Sequence, residues 1–194
     1  MAKVYVYGNN QKATPNQWKT LRKVEDDLQK EMYKQLNMIS GSVGIALYEY
    51  WGWRHERLHK LYKTIDKLWE EIADDPNVSA FKLCEDETGM VISIPDFDGT
   101  WSDLLYYKDK AYKKDLPIQQ LIYTRIRQKK WIGAEVVASV MVALHRMYGF
   151  GYERLSRLYE QMDESRNRYD WDAKKIRQEC FRITGESLSA EDYE

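Results

Sequence analysis

The sequence predicts a mainly α-helical protein in which two copies of one helical unit pack into a single domain. Three observations support this prediction: two segments of the chain resemble each other, their apolar residues recur at helical spacing, and signals for β-strands are few. At most a minor pair of strands is expected, formed by 3–7 and 90–94, where apolar and β-branched residues alternate or cluster.

The internal repeat is seen when residues 42–66 are aligned with residues 139–163. Eleven of the 25 aligned positions are identical, and the aromatic residues on both sides of a shared glycine are replaced only by other aromatics. One deletion extends the match to a second block, which has a cysteine and a Thr-Gly pair in both copies. The offset is half the chain length, so an internal duplication is the simplest explanation.

Each half of the chain is expected to add flanking segments to its core unit. The first half, 1–97, places an N-terminal strand and helix before core unit 42–89. The second half, 98–194, places linker helices over 101–131, interrupted by a proline, before core unit 139–185. A chain of 194 residues with 43% hydrophobic content is long enough to bury one core, so the two halves are expected to form one compact body.

Each copy is predicted to form a helix, a tight turn, a longer helix, a loop and a short closing helix. Gly52 and Gly149 fall where the first helix must stop, because glycine readily adopts the positive φ found after a helix C-terminus. A closing helix is expected from about Pro76, with Asp75 as its N-cap, and in the second copy from about Asp172. The long helix of the first copy has one apolar face, formed by Leu58, Leu61, Tyr62, Ile65, Leu68, Trp69 and Ile72.

The two copies are expected to share their core, because a single unit of about 45 residues buries too little surface to be stable alone. Cys84 and Cys180 occupy equivalent positions and are interpreted as reduced, small core residues. Ahead of the first copy, Thr14 begins a capping box that predicts a further helix. The leucines expected in the shared core are Leu58, Leu61, Leu155 and Leu158.

Composition excludes several classes of protein. The formal net charge is −1, although 31% of the residues are charged, which excludes a generally basic nucleic-acid binder. The chain has no run of 18 apolar residues and no N-terminal signal peptide, so a cytoplasmic location without membrane contact is expected. No phosphate-binding glycine loop, CxxC pair or Ser-His-Asp set is present, so neither a cofactor nor catalytic residues are predicted.

The charges are strongly segregated along the chain. Residues 70–103 hold ten acidic residues and one lysine, whereas residues 108–131 hold eight basic and two acidic residues. With 15 Tyr and 7 Trp, residue types enriched at binding hot spots, this pattern favours an acidic surface that binds a partner. The residues predicted for that surface are Glu85, Asp86, Glu87, Asp96, Asp98, Trp101 and Asp103.

The basic segment supports an alternative, in which the protein binds nucleic acid. It mixes cations, which bind phosphate, with aromatic rings, which stack on bases. A purely structural interpretation is a solvated helix face with Ile122, Ile126 and Trp131 turned inwards. The residues predicted for nucleic-acid binding are Arg125, Arg127, Lys129, Lys130 and Trp131.

A third hypothesis comes from residues 55–59, His-Glu-Arg-Leu-His, which fit the H-E-x-x-H pattern of zinc hydrolases. A third ligand would have to come from the acidic loop near Asp74. In the second copy Tyr152 and Ser156 replace His55 and His59, so the repeat preserves the helix and not the histidine pair. The histidines are therefore interpreted as surface residues, and no metal is predicted.

Residues 143–155 read Ala-Leu-His-Arg-Met-Tyr-Gly-Phe-Gly-Tyr-Glu-Arg-Leu, with a weaker copy at 46–58. This string resembles small phage and prophage proteins of Firmicutes that carry an ALH…FGFGxxRL turn between two helices, followed by a short helix ending in Thr-Gly. The first copy departs from the pattern at Trp53 and Arg54. The resemblance implies an accessory protein of a mobile element that works in the cytoplasm of a bacterial host, and it brings no catalytic residues.

Together these features favour a non-enzymatic phage accessory protein that binds and inhibits a host protein. The resemblance makes a nuclease or another effector of bacterial defence the expected partner, as for anti-CRISPR proteins. The alternatives are a phage nucleic-acid-binding protein that uses 108–131 and, third, a zinc-dependent hydrolase that uses 55–59.

Overall fold

A computed structural model describes residues 13–75, 78–93 and 118–187 of the chain. This part of the chain contains six α-helices and no β-strand, which confirms the prediction of a mainly α-helical protein. The helices are α1 (Pro15–Trp51), α2 (His55–Asp74), α3 (Ala80–Thr88), α4 (Ile118–Tyr148), α5 (Tyr152–Arg168) and α6 (Ala173–Thr184).

Helix α1 runs without interruption for 37 residues, so the predicted N-terminal helix and the first helix of the repeat are one element. The capping box at Thr14 is confirmed, with the threonine side chain accepting from the amide of Gln17. Gly41 and Gly44 lie inside this helix, where each glycine costs about 1 kcal/mol relative to alanine. Both positions are buried against α6, so the close approach of the two helices explains why the glycines are tolerated.

Two sequence predictions near α3 are wrong. Asp75 does not cap α3, because α2 continues through Asp74 and Asp75 ends it; Ser79 is the N-cap of α3 and accepts from the amide of Lys82. Residues 90–93 do not form the predicted strand. Their alternating pattern instead buries the side chains of Met90 and Ile92 on the core while their neighbours stay exposed. The other predicted strand, 3–7, and the start predicted for α3 at Pro76 lie outside the described residues.

The two copies are intertwined. Helix α1, which begins the first copy, packs on α5 and α6 of the second copy, and α4, which begins the second copy, packs on α2 and α3 of the first. Helices α1 and α4 also pack on each other. The interruption predicted at Pro117 lies outside the described residues.

The turns after α1 and α4 meet each other. Gly52 and Gly149 have φ values of +65° and +63°, as predicted for helix-ending glycines. The aromatic residues beside them pair crosswise: the ring centroids of Trp51 and Phe150 are 5.6 Å apart, and those of Trp53 and Tyr148 are 4.5 Å apart. Trp51 is equivalent to Tyr148, and Trp53 is equivalent to Phe150. Exchanging the two copies therefore converts one pair into the other, which is the pattern that a two-fold axis produces.

One core contains residues from both copies, as expected, including fully buried Leu58, Leu61, Leu155 and Leu158. Cys84 and Cys180 are buried free thiols in the same core, which confirms their interpretation. In each copy a threonine donates to the cysteine carbonyl four residues earlier, at 2.5 Å for Thr88 and 2.7 Å for Thr184. The order of the helices and these local contacts agree between the copies, whereas their origin by duplication stays a prediction.

Candidate functional site

The exposed acidic residues of α3 form the centre of the candidate binding surface. Ser79 caps the helix and buried Ala80, Phe81 and Cys84 fix it on the core, so the opposite face, with Glu85 and Asp86, points to solvent. Both carboxylates come from the acidic segment predicted to bind a partner. The two carboxylates are exposed because the opposite face of α3 packs on the core, and that packing does not involve them.

Glu87, predicted in the same group, has a structural role. Its two carboxylate oxygens accept from Nε and Nη2 of Arg146 on α4, at 2.9 and 2.7 Å. Arg146 also binds Glu71 of α2, with Nη1 3.1 Å from Oε2. The hydrogen bond to Glu87 is the main reason that the pKa of Arg146 is raised. Glu87 therefore holds α3 against α4 and is engaged within the protein.

Two exposed apolar side chains lie beside the end of α3. Val91 is 65% exposed, and Tyr152, at the start of α5, is 59% exposed. A Cβ placed on Gly89, the residue that ends α3, would lie 3.9 Å from Cδ2 of Tyr152. Together Glu85, Asp86, Val91 and Tyr152 form what we call the acidic α3 surface. The anchor predicted from sequence, Trp101, lies outside the described residues, as do Asp96, Asp98 and Asp103.

Tyr152 was missed because it belongs to the second copy, far from the acidic segment in sequence. Its place beside α3 results from the intertwined packing, which brings the start of α5 to the end of α3. The sequence aligns Tyr152 with His55, which was interpreted as a surface residue. This alignment indicated that Tyr152 is exposed, but it did not indicate which residues lie beside it.

The basic segment is only partly available for nucleic acid. Trp131 is buried, so its ring is not accessible for stacking on a base, and this part of the prediction is wrong. Arg125 is half-buried, with Nη1 2.9 Å from Oε1 of Gln128. Lys129 is exposed, and so is Ile126, which the structural interpretation had turned inwards. Arg127 and Lys130 lie on α4, but the description does not extend to their side chains.

The histidines of α2 contact a residue that the sequence did not point to. Nδ1 of His55 lies 2.5 Å from Oε2 of Glu186, and Nδ1 of His59 lies 3.3 Å from Oε1 of the same carboxylate. The two rings are stacked, with centroids 5.5 Å apart. The side chain of Glu186 is 5% exposed, whereas the imidazoles are about half exposed. The predicted surface position of the histidines is confirmed, and both in addition contact the carboxylate of Glu186.

In this cluster the carboxylate of Glu186 is in direct contact with a nitrogen of each imidazole. In the described ranges, no group of three or more His, Cys, Asp or Glu side chains is arranged to hold a metal ion. The third ligand that a zinc site would need was expected near Asp74, whose side chain lies outside the description. The geometry therefore gives the hydrolase hypothesis no support.

No protein family, curated protein or solved structure shows significant similarity to the chain. None of the described helices is both long and apolar enough to cross a membrane.

Proposed function

We propose that this chain is a non-enzymatic interaction protein that binds a host protein through the acidic α3 surface. The observation that carries the proposal is the grouping of two exposed carboxylates with an exposed aromatic ring and an exposed valine at one end of α3. Aromatic anchors surrounded by charge are a recurring composition of protein interfaces. The partner that fits this surface carries basic residues around an apolar patch.

The resemblance to phage and prophage proteins supports a more specific version of this proposal. In that version the chain acts in the cytoplasm of a bacterial host and inhibits a defence effector, such as a CRISPR nuclease. Nucleases bind polyanions with basic surfaces, and such surfaces attract exposed carboxylates by long-range electrostatic steering.

The test is recovery of a partner from host lysate by tagged wild-type protein, with and without nuclease treatment of the lysate. We expect one protein to be recovered in both cases, and to be lost when Glu85→Lys and Asp86→Lys are combined. The matched control is Asp26→Lys with Asp27→Lys, because these adjacent acids are exposed on α1. The control should retain the partner.

Recovery of nucleic acid that disappears at raised salt would contradict the proposal, because it would assign function to the basic segment. So would equal loss of the partner in both double variants, because it would show a dependence on net charge alone. Tyr152→Ala then tests the aromatic anchor, and we expect partner dissociation to accelerate at least tenfold.

A further inference from the structure

Helix α6 carries a basic, partly apolar face that is exposed to solvent. The opposite face of the helix is fixed on the core by Ile176, Cys180 and Thr184. Exposed positions seven residues apart lie two helical turns apart and therefore share one face. The residues of this face, which we call the basic α6 surface, are Lys174, Lys175, Phe181 and Arg182.

This surface lies where the other copy has the acidic α3 surface. Aligning Cys180 with Cys84 places Phe181 and Arg182 at the positions of Glu85 and Asp86. The whole helices differ in the same way, because α6 holds four basic residues and one acidic residue, whereas α3 holds one basic and three acidic residues. The two copies therefore place opposite charges at equivalent positions of the fold.

The basic α6 surface has the composition that fits the acidic α3 surface. An exposed aromatic ring, 56% exposed in the case of Phe181, is surrounded by three cations. Docking of the two surfaces would bury Phe181 with the exposed apolar groups of Tyr152 and Val91, while unlike charges meet across the contact. The formal net charge of the chain is −1, so two copies repel each other only weakly.

We propose that the acidic α3 surface of one copy of this chain docks on the basic α6 surface of a second copy. This docking rests on the function proposed above only in taking the acidic α3 surface as a binding surface. It adds a form of regulation, because a copy whose acidic α3 surface is covered in this way cannot use it for a host protein. The contact joins two different surfaces, so a chain that lacks one of them can still pair through the other.

Acidic neighbours limit the strength of this contact. Nε of Arg182 donates to Oε2 of Glu179 at 2.7 Å, and this contact helps to lower the pKa of Glu179. Nζ of Lys175 lies 3.9 Å from Oδ2 of Asp172. Because these carboxylates offset part of the positive charge, we expect the association to be weak, concentration-dependent and sensitive to salt.

Sedimentation equilibrium of the purified wild-type protein tests the association. At low salt, we expect the average mass to rise above the 23.2 kDa of the monomer as the protein concentration is raised, and to return to it at high salt. A monomeric mass at every concentration would overturn the inference. No host protein is present in this measurement, so that result would leave host-protein binding, which the lysate experiment tests, unaffected.

Two variants, each blocked at one surface, test which surfaces meet. The first combines Glu85→Gln with Asp86→Asn, and the second combines Lys174→Gln, Lys175→Gln and Phe181→Ala. We expect each variant alone to associate with itself at least about tenfold more weakly than the wild type. An equimolar mixture should form a one-to-one complex, because each variant supplies the surface that the other lacks, and this complex would also show that both variants are folded.

The matched control is Lys60→Gln with Lys63→Gln, because both lysines are exposed on α2. The control removes two lysines, as the second variant does, and should associate with itself like the wild type. Equal weakening in the control would overturn the inference, since it would show a dependence on net charge alone. A mixture of the two blocked variants that stays monomeric would overturn it as well.

Discussion

Glu49 on α1 binds Arg168 on α5, with Nη1 of the arginine 2.6 Å from Oε1 of the glutamate. The equivalent positions of the other copy are occupied by Arg146 and Glu71, whose Nη1 and Oε2 atoms are 3.1 Å apart. The same contact between the copies is therefore made twice, with the charges exchanged. Reversing the charge at one position alone would bring like charges together. The residues at the two positions of each pair are therefore expected to be energetically coupled.

This dependence predicts the behaviour of a charge exchange. Glu49→Arg and Arg168→Glu should each lower the free energy of unfolding, and the double variant should recover most of the loss. Because both side chains are about a third to a half exposed, we expect a coupling of about 0.5–1 kcal/mol, smaller at 1 M salt. Urea unfolding measures it, with Glu160→Arg on the exposed face of α5 as the control. Additive losses would mean that the contact contributes nothing.

The close packing of α1 on α6 predicts that Gly41→Ala is destabilising. The new Cβ would lie 2.7 Å from Cγ2 of Ile176 and 3.3 Å from its backbone carbonyl carbon, which cannot move without shifting α6. Overpacking of this kind costs about 1–3 kcal/mol, and it exceeds the gain of about 1 kcal/mol in helix propensity. Thermal unfolding of the variant measures the balance.

The matched control for this substitution is Gly133→Ala in α4. Its Cβ would meet Oε1 of Gln35 at 2.9 Å, which is the flexible end of a long side chain that can turn away. We expect this variant to be neutral or more stable by up to about 1 kcal/mol. If the two alanine variants had the same stability, the contact with α6 would not be the reason for Gly41.

Local patterns made most of the fold predictable. The apolar stripe of α2, the capping box at Thr14 and the glycines that end α1 and α4 are all set by neighbours in sequence, and each was confirmed. The strand predicted at 90–94 was wrong over 90–93, because an irregular segment whose side chains are alternately buried on a helical core has the same sequence pattern as a half-buried strand. The prediction that Asp75 caps α3 was wrong because aspartate is a favoured N-cap residue, but this aspartate follows the last turn of α2.

The candidate sites were less predictable, because they depend on contacts between the copies. The repeat showed that the copies exist but did not show which helix of one packs on which helix of the other. Glu186 and Tyr152 are both placed by that packing, and neither has a local signal of its role. Glu87 was predicted with its acidic neighbours, since its partner Arg146 lies 59 residues away.

The buried thiol of Cys180 predicts a loss of stability in alkaline solution. Burial raises its pKa from the ordinary 9.0 to about 11, so the unfolded chain releases this proton at a lower pH than the folded protein does. The unfolded state is then favoured as the pH rises from about 9 to about 11. This group alone should lower the free energy of unfolding by about 2–3 kcal/mol over that range.

Comparison with Cys180→Ala isolates this effect from the titration of other groups. Urea unfolding at pH 8.5 and pH 10.5 should show a steeper loss of stability for the wild type than for the variant. The same burial should make the native thiol react with Ellman's reagent at pH 8 at least 100-fold more slowly than the unfolded chain. The prediction would be contradicted if the free energy of unfolding fell equally with pH in the two proteins, or if the thiol of the native protein were labelled rapidly.

The acidic residues of α3 should separate into two classes when each is changed to lysine. Glu87→Lys brings a cation against Arg146 and removes the contact between α3 and α4, so it should lower the free energy of unfolding by about 0.5–1 kcal/mol, a value limited by partial exposure. Glu85→Lys and Asp86→Lys change only exposed positions, and together they should leave the melting temperature within a few degrees of the wild type.

For binding to the partner, we expect the opposite order of effects. The Glu85 and Asp86 double variant should slow association with the partner tenfold or more at low salt, because it removes electrostatic steering. Scanning calorimetry and stopped-flow association measure the two effects. If Glu87→Lys alone slowed binding without a loss of stability, the working surface would extend to Glu87 and its link to Arg146 would be incidental.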